Sequence, residues 1–208
     1  MTNANKILKA IPENILASAD ILRSGGLVAF PTETVYGLAA NALDEKAVAR
    51  IFEAKTRLAD KPLIIFVSNF ENAKKFAKFS PLAEKLADHF WPGALTLVLD
   101  RALDCNLAPN VSAGFKTIGV RVPGNQTALA LTKALSFPLA VTSVNLSGHP
   151  SPLKAQEITL AVDVVLDGGA SELGIESTVI DATGETPVFL REGATSRSEI
   201  EGFLGTSL

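Results

Sequence analysis

Gly25-Gly26-Leu27-Val28-Ala29-Phe30-Pro31-Thr32-Glu33-Thr34-Val35-Tyr36-Gly37-Leu38 is an apolar run that stops abruptly in hydroxyls, a carboxylate and a proline. The run 27–30 is short and bounded by Gly-Gly and Pro, which predicts a strand buried on both faces rather than a helix. The polar groups beyond it admit two readings. Thr32, Glu33 and Thr34 cap the strand and its turn, as short polar side chains often do, or they line a crevice beyond the strand's carboxyl end. Tyr36, the single tyrosine of the chain, and Gly37, where backbone room is available, favour the crevice.

Upstream, Pro12 suits a first helical turn, and Ile15, Leu16, Ala19 and Leu22 recur at helical spacing until the glycines. Downstream, Asp44 is placed to cap a helix with the apolar face Ala47, Val48, Ile51 and Phe52, ending at Ala54-Lys55-Thr56-Arg57. Lys61-Pro62 then forces extension into a second buried strand over 63–67. Helices are predicted over 71–77 and from Ser80-Pro81 to a turn at Trp91-Pro92-Gly93, then a strand over 94–99. The stretch 102–115 reads as a functional or mobile loop. There follow a strand over 117–122, a helix over 126–135, and a strand over 138–141 that ends in Thr142-Ser143-Val144-Asn145. A helix over 154–161, a strand over 162–166 and a strand pair over 178–180 and 188–190 come next. The last helix, 200–204, lies behind Ser196 and Glu199 in capping-box spacing. Strands and helices alternate without strict order. The expected class is α/β (α+β in some schemes), a mixed parallel and antiparallel twisted sheet flanked by helices, in one domain over 1–208.

With 208 residues, 47% hydrophobic, the chain is long enough to bury a full core. A net charge of −3 supplies no general basic field for nonspecific nucleic-acid binding. One cysteine allows no internal disulfide, and His89 and His149 show no zinc spacing, which fits a reducing cytoplasm. Lys6, Lys9, Glu13 and Asp20 interrupt the first residues, so no signal-peptide core is expected, and no apolar run is long enough to span a membrane.

Four polar clusters adjoin apolar strands: 32–34, 55–57, 117–121 and 143–145. If those strands are neighbours, the clusters line one crevice holding cations, hydroxyls and an amide, with no cysteine or histidine among them. Such a set binds and polarises anions but supplies no nucleophile and base pair. Phosphoryl or nucleotidyl transfer fits, being mostly positioning and charge neutralisation with magnesium. Neither glycine-rich nucleotide loop is present, so phosphates fall to Lys55, Arg57 and Arg191 and to hydroxyls such as Ser143 and Ser151. The plainer alternatives are helix-end cations for Lys55 and Arg57 and an outward-facing strand position for Arg121.

Pro31-Thr32-Glu33-Thr34-Val35-Tyr36-Gly37-Leu38, Lys55-x-Arg57 with Lys61-Pro62-Leu63, Trp91-Pro92-Gly93, Val120-Arg121-Val122-Pro123, Ser143-x-Asn145 and Glu176-Ser177-Thr178 resemble the YrdC/TsaC family, colinearly over about 15–197. Its members are threonylcarbamoyl-AMP synthases, and the chain resembles their short single-domain type. The resemblance implies a twisted mixed sheet with a concave, positively charged cavity. It implies that L-threonine, bicarbonate and ATP give threonylcarbamoyl-AMP and pyrophosphate, with Mg2+ accompanying ATP and no dedicated protein ligands for it. A partner transferase then carries the group to the adenosine beside the tRNA anticodon. By position, Thr32, Arg121, Val141 (through its backbone) and Ser177 bind threonine, and Lys55, Thr117, Ser143, Ser151 and Arg191 bind ATP. Lys55, Arg57, Ser143 and Asn145 form the catalytic set, with Asn145 fixing the loop that presents Ser143. Phe66 stands where longer members often carry histidine. Two other readings remain: an RNA-binding module of tRNA or ribosome maturation, contacting tRNA or double-stranded RNA, and a carbamoyl-handling domain like those of hydrogenase-maturation proteins.

Overall fold

The opening stretch folds as a hairpin in the computed structural model, which describes residues 5–56, 58 and 60–207. Strands β2 (Val28–Phe30) and β3 (Gly37–Asn41) pair antiparallel, with Ala29 opposite Leu38 and Phe30 opposite Gly37. Strand β3 is unforeseen, because Gly-Leu-Ala-Ala-Asn has poor strand propensity. Close packing explains it. A Cβ on Gly37 would come within 3.3 Å of both Phe30 and Val141, so small residues let the neighbouring strands close over it.

Among the described residues ten strands form one sheet, in the order β1-β8-β2-β3-β7-β4-β6-β5-β9-β10. The others are β1 (Ile7–Lys9), β4 (Ile64–Phe66), β5 (Leu95–Asp100), β6 (Thr117–Arg121), β7 (Leu139–Ser143), β8 (Val164–Asp167), β9 (Thr178–Asp181) and β10 (Val188–Arg191). Parallel pairs (β1 with β8, β2 with β8, β4 with β6, β5 with β9) mix with antiparallel ones, as expected. The predicted pair near the chain end is the antiparallel β9 and β10.

Alternation along the strands gives the sheet two buried faces. One face, with Ala29, Leu38, Ala40, Ile65, Ala140, Val120 and Leu97, packs against α2 (Glu45–Lys55) and α4 (Pro81–Phe90). The other, with Val28, Phe30, Ala39, Leu139, Val141 and Val164, packs against α1 (Pro12–Arg23) and α5 (Gln126–Lys133). Helix α2 starts as expected, with the Asp44 carboxylate accepting the amides of Lys46 and Ala47. The buried face of α1 is Ile15, Ser18, Ala19 and Leu22, and the expected Leu16 points out, 57% exposed.

Three expectations are corrected. The helix over 154–161 is only a 3-10 turn at Ala155–Glu157, because the Asn5 amide donates to the carbonyls of Ile158 and Leu160 and holds that segment extended. The helix over 71–77 shrinks to one turn, α3 (Phe70–Ala73). The loop 102–115 buries Leu107, Ala108 and Val111, and hydrogen bonds tie it to Ala42 and Leu63, so its centre is anchored to the core while Leu103 and Phe115 stay exposed. A last helix, α6 (Arg197–Leu204), is capped by Ser196. Among the described residues no helix is long and apolar enough to cross a membrane.

Candidate active site

Helices α1 and α5 cover the β8-β2-β3-β7 part of their face, and beyond them the same face is bare at the ends of β7, β4, β6 and β9. There lies a cavity of about 220 Å³, walled by Ile64, Phe66, Val141 and Val179 and lined with Thr32, Thr34, Arg121, Ser143, Glu176, Ser177 and Arg191.

Thr32 serves both readings of the opening stretch. Its Oγ1 accepts the amides of Thr34 (3.1 Å) and Val35 (3.2 Å) and donates to the Val35 carbonyl (2.6 Å), which shapes the turn. Yet it also faces the cavity. Arg121 ends β6 and is 2% exposed. Its Nε donates to the Gly93 carbonyl at 2.9 Å and its Nη1 to Thr34 Oγ1 at 3.2 Å. Its Nη2 lies 2.7 Å from Glu33 Oε1, an ion pair without hydrogen-bond alignment. The guanidinium carbon stands 5.3 Å from the Phe66 ring centroid, within cation–π range.

Glu33 in turn accepts the amides of Gly124 (2.8 Å) and Asn125 (3.2 Å), so the fold holds the carboxylate that holds Arg121. Burial works to raise the Glu33 carboxyl, but Arg121 and the backbone amides outweigh it and leave it below its ordinary value. Burial lowers Arg121, Glu33 opposes the fall, and Arg191 adds to it. Gly93 is constrained too: a Cβ there would lie 2.3 Å from the Phe90 carbonyl, so only glycine presents its own carbonyl to Arg121 this way.

At the end of β7, Ser143 Oγ donates to Asn145 Oδ1 at 2.5 Å. Lys55, at the end of α2, is 1% exposed and does not line the cavity. Its ammonium donates to the Ser143 carbonyl, to the Asn145 carbonyl (2.6 Å) and to Asn145 Oδ1 (3.1 Å), behind the cavity wall. On the opposite side Ser177 Oγ lies 2.9 Å from Thr96 Oγ1 and accepts from Arg191 Nη2 at 3.2 Å. Glu176 binds Arg191 Nη1 through one oxygen and Ser151 Oγ (3.0 Å) through the other. The two arginines of the cavity thus each face a glutamate.

The structure therefore brings Thr32, Arg121, Val141, Ser143, Ser177 and Arg191 to one cavity, with Lys55 and Asn145 bracing Ser143 and Ser151 joined through Glu176. Val141 lies in mid-strand between Ala39 and Ile64, so it offers the cavity its side chain while its main chain faces the neighbouring strands. Thr117 stands apart. It starts β6 opposite Asp100, four residues from Arg121 and so roughly 13 Å along the strand, and does not line the cavity. Arg57 lies outside the described residues. Sequence reasoning put Glu33 and Thr34 in a polar cluster at the crevice without naming a partner for either, and gave no role to Gly93 or Glu176, which it saw only as members of the motifs Trp91-Pro92-Gly93 and Glu176-Ser177-Thr178.

The Sua5/YciO/YrdC family model, described as "telomere recombination", matches residues 20–193. A threonylcarbamoyl-AMP synthase of Pyrococcus abyssi is 48% identical over 197 residues, covering 92% of this chain and 57% of that protein. One of Bacillus subtilis is 42% identical over 196 residues, covering 92% and 56%. The chain thus spans about half the length of these curated relatives. The crystal structure of P. abyssi Sua5 complexed with L-threonine superposes with a TM-score of 0.89 at 45% identity, covering 98% of this chain and 61% of that one. With the matched model spanning most of the chain and this same sheet recurring in a solved relative, the chain belongs to the Sua5/YciO/YrdC family.

Proposed function

We propose that this chain makes threonylcarbamoyl-AMP from L-threonine, bicarbonate and ATP, as a nucleotidyltransferase of tRNA modification. The observation that carries the reading is Arg121, a buried guanidinium locked by Glu33, Thr34 and Gly93 at the floor of a small hydroxyl-rich cavity. A planar cation fixed in this way suits the carboxylate of an amino acid. Thr32 and Ser177 sit in the same cavity, where a hydroxylated amino acid finds polar partners. Arg191 and Ser143, on the other walls, suit phosphate oxygens, with Ser151 beside them through Glu176.

In the reaction, threonine's amine and bicarbonate condense to N-carboxy-threonine with loss of water. A carboxylate oxygen of that carbamate attacks the α-phosphorus of ATP, and the bond from that phosphorus to the oxygen bridging to the β-phosphorus breaks, releasing pyrophosphate. The residues orient both anions and neutralise their charge, which is how most of such catalysis is achieved. Lys55 acts through Ser143 and Asn145, whose carbonyls it holds. Among the described residues no three His, Cys, Asp or Glu side chains cluster as metal ligands. Mg2+ is expected to arrive with ATP, where it would supply charge neutralisation on the leaving pyrophosphate. The mixed anhydride product is labile in water and suits direct transfer to a partner enzyme acting on tRNA in the cytoplasm.

Pyrophosphate release measured with each substrate omitted in turn tests the reading. It should require threonine and bicarbonate together, and release indifferent to threonine overturns it.

A further inference from the structure

The two glutamate–arginine pairs of the cavity are built differently. Glu33 is fixed on every side: Arg121 faces one oxygen, two backbone amides hold the carboxylate, and its side chain is 12% exposed. Glu176 is held differently: its main chain is anchored, while its carboxylate meets two side-chain donors and, among the described residues, no backbone amide. The Ala194 amide donates to its carbonyl at 2.9 Å, and Gly193 packs so closely that a Cβ there would lie 2.3 Å from that carbonyl oxygen. Its carboxylate reaches into the rim, 37% exposed, beside an Arg191 that is 44% exposed.

What that carboxylate does is bridge two donors from separate parts of the chain, one oxygen to Ser151 Oγ and the other to Arg191 Nη1. A phosphate group would engage the same two donors with more charge and one more oxygen. An ion pair this exposed contributes little and is readily exchanged. Arg191 does not move freely when the exchange occurs, because its Nε donates to the Ser177 carbonyl at 3.0 Å and its Nη2 to Ser177 Oγ. The Arg191 donors therefore keep their geometry while the anion changes.

We propose that Glu176 is a built-in counter-anion, occupying the Ser151 and Arg191 donors until a phosphate group of the nucleotide displaces its carboxylate. The inference rests on the nucleotide role proposed above for Ser151 and Arg191. It makes Glu176 a competitor of the ligand, while Ser177 keeps Arg191 oriented for it. The competition lowers affinity for the nucleotide and for the pyrophosphate product alike, which favours product release.

The test is calorimetric titration of the full chain with ATP and, separately, with inorganic pyrophosphate, for wild type, Glu176→Gln and Glu176→Ala. Both variants should bind either ligand about 3- to 5-fold more tightly at low salt, the size of competition an exposed ion pair allows. Threonine affinity should not change. In wild type labelled with carboxyl-13C glutamate, the resonance missing from Glu176→Gln should shift when pyrophosphate is added. Equal or weaker phosphate binding by Glu176→Gln overturns the proposal, as does an unmoved Glu176 resonance at saturation or the absence of pyrophosphate binding in all three proteins. Tighter binding in the variants together with pyrophosphate release that ignores threonine keeps the counter-anion and overturns the synthase reading instead.

Discussion

Glu33 Oε1 stands 2.7 Å from Arg121 Nη2, with the two side chains 12% and 3% exposed. Neither charge has water to fall back on, so removing one leaves the other buried and unpaired. Glu33→Ala should therefore destabilise the chain by about 3–5 kcal/mol, the range for breaking a buried pair from one side. Denaturant midpoints measure this. Glu33→Gln, which keeps an acceptor for the Gly124 amide, should cost less and raise KM for threonine while leaving KM for ATP unchanged. Equal effects on both substrates would mean that Arg121 does not depend on Glu33 for its position.

The same pair sets an acid limit. Glu33 lies below its ordinary 4.5 in the folded chain, so between the folded and unfolded values the unfolded chain binds the extra proton. Its contribution to stability is complete above that ordinary value and is lost as pH falls through the folded one. Urea midpoints taken from pH 6 to pH 3 should fall more steeply for wild type than for Glu33→Gln. Parallel curves would show that acid unfolding is driven elsewhere.

Much of the fold was legible where local chemistry decides it. Helix α2 carries its own cap at Asp44 and its own apolar stripe, and Val28–Phe30 is bracketed by its own breakers. Strand β3 was not legible, since its small residues matter only through Phe30 and Val141 packed against Gly37. The lost helix at 154–161 was undone by Asn5, which is remote in sequence. The site divides in the same way. Thr32 and Ser143 announced themselves as polar groups at strand ends, and Arg121 through its motif Val120-Arg121-Val122-Pro123. Glu33 could not be assigned, because its partners Gly124 and Asn125 arrive only through the fold. Lys55 was expected at a phosphate and lies instead behind the wall, since a helix-end lysine gives no sign of which carbonyls will surround it.

Tyr36 offers a clean optical check, being the only tyrosine in the chain. Burial pushes its phenol up to about 12, and the hydroxyl donates to the Gly169 carbonyl at 2.7 Å. Phenolate absorbance should appear only near that value in the native chain, and near 10 in urea. The sign for stability follows. This contribution is complete below the unfolded value and is lost as pH rises toward the folded one. Tyr36→Phe should cost about 1 kcal/mol for the lost hydrogen bond. A native titration midpoint near 10 would place the ring in water and refute the packing described.

Lys55 separates bracing from direct phosphate contact. Its ammonium donates to the Ser143 carbonyl and to two oxygens of Asn145. Lys55→Ala leaves the two part-buried carbonyls without that donor, while Asn145 Oδ1 keeps Ser143 Oγ, and the loss costs at most about 1–3 kcal/mol per carbonyl. The variant should therefore lose stability and pyrophosphate release together, and ATP affinity should fall through displacement of Ser143. Lys55→Arg should not restore activity, because a planar fork cannot place its donors where a tetrahedral ammonium does. If Lys55→Ala instead kept wild-type stability and lost only kcat, the ammonium would have to leave its carbonyls and meet the phosphates during turnover, and its resting place behind Ser143 would be a parked state.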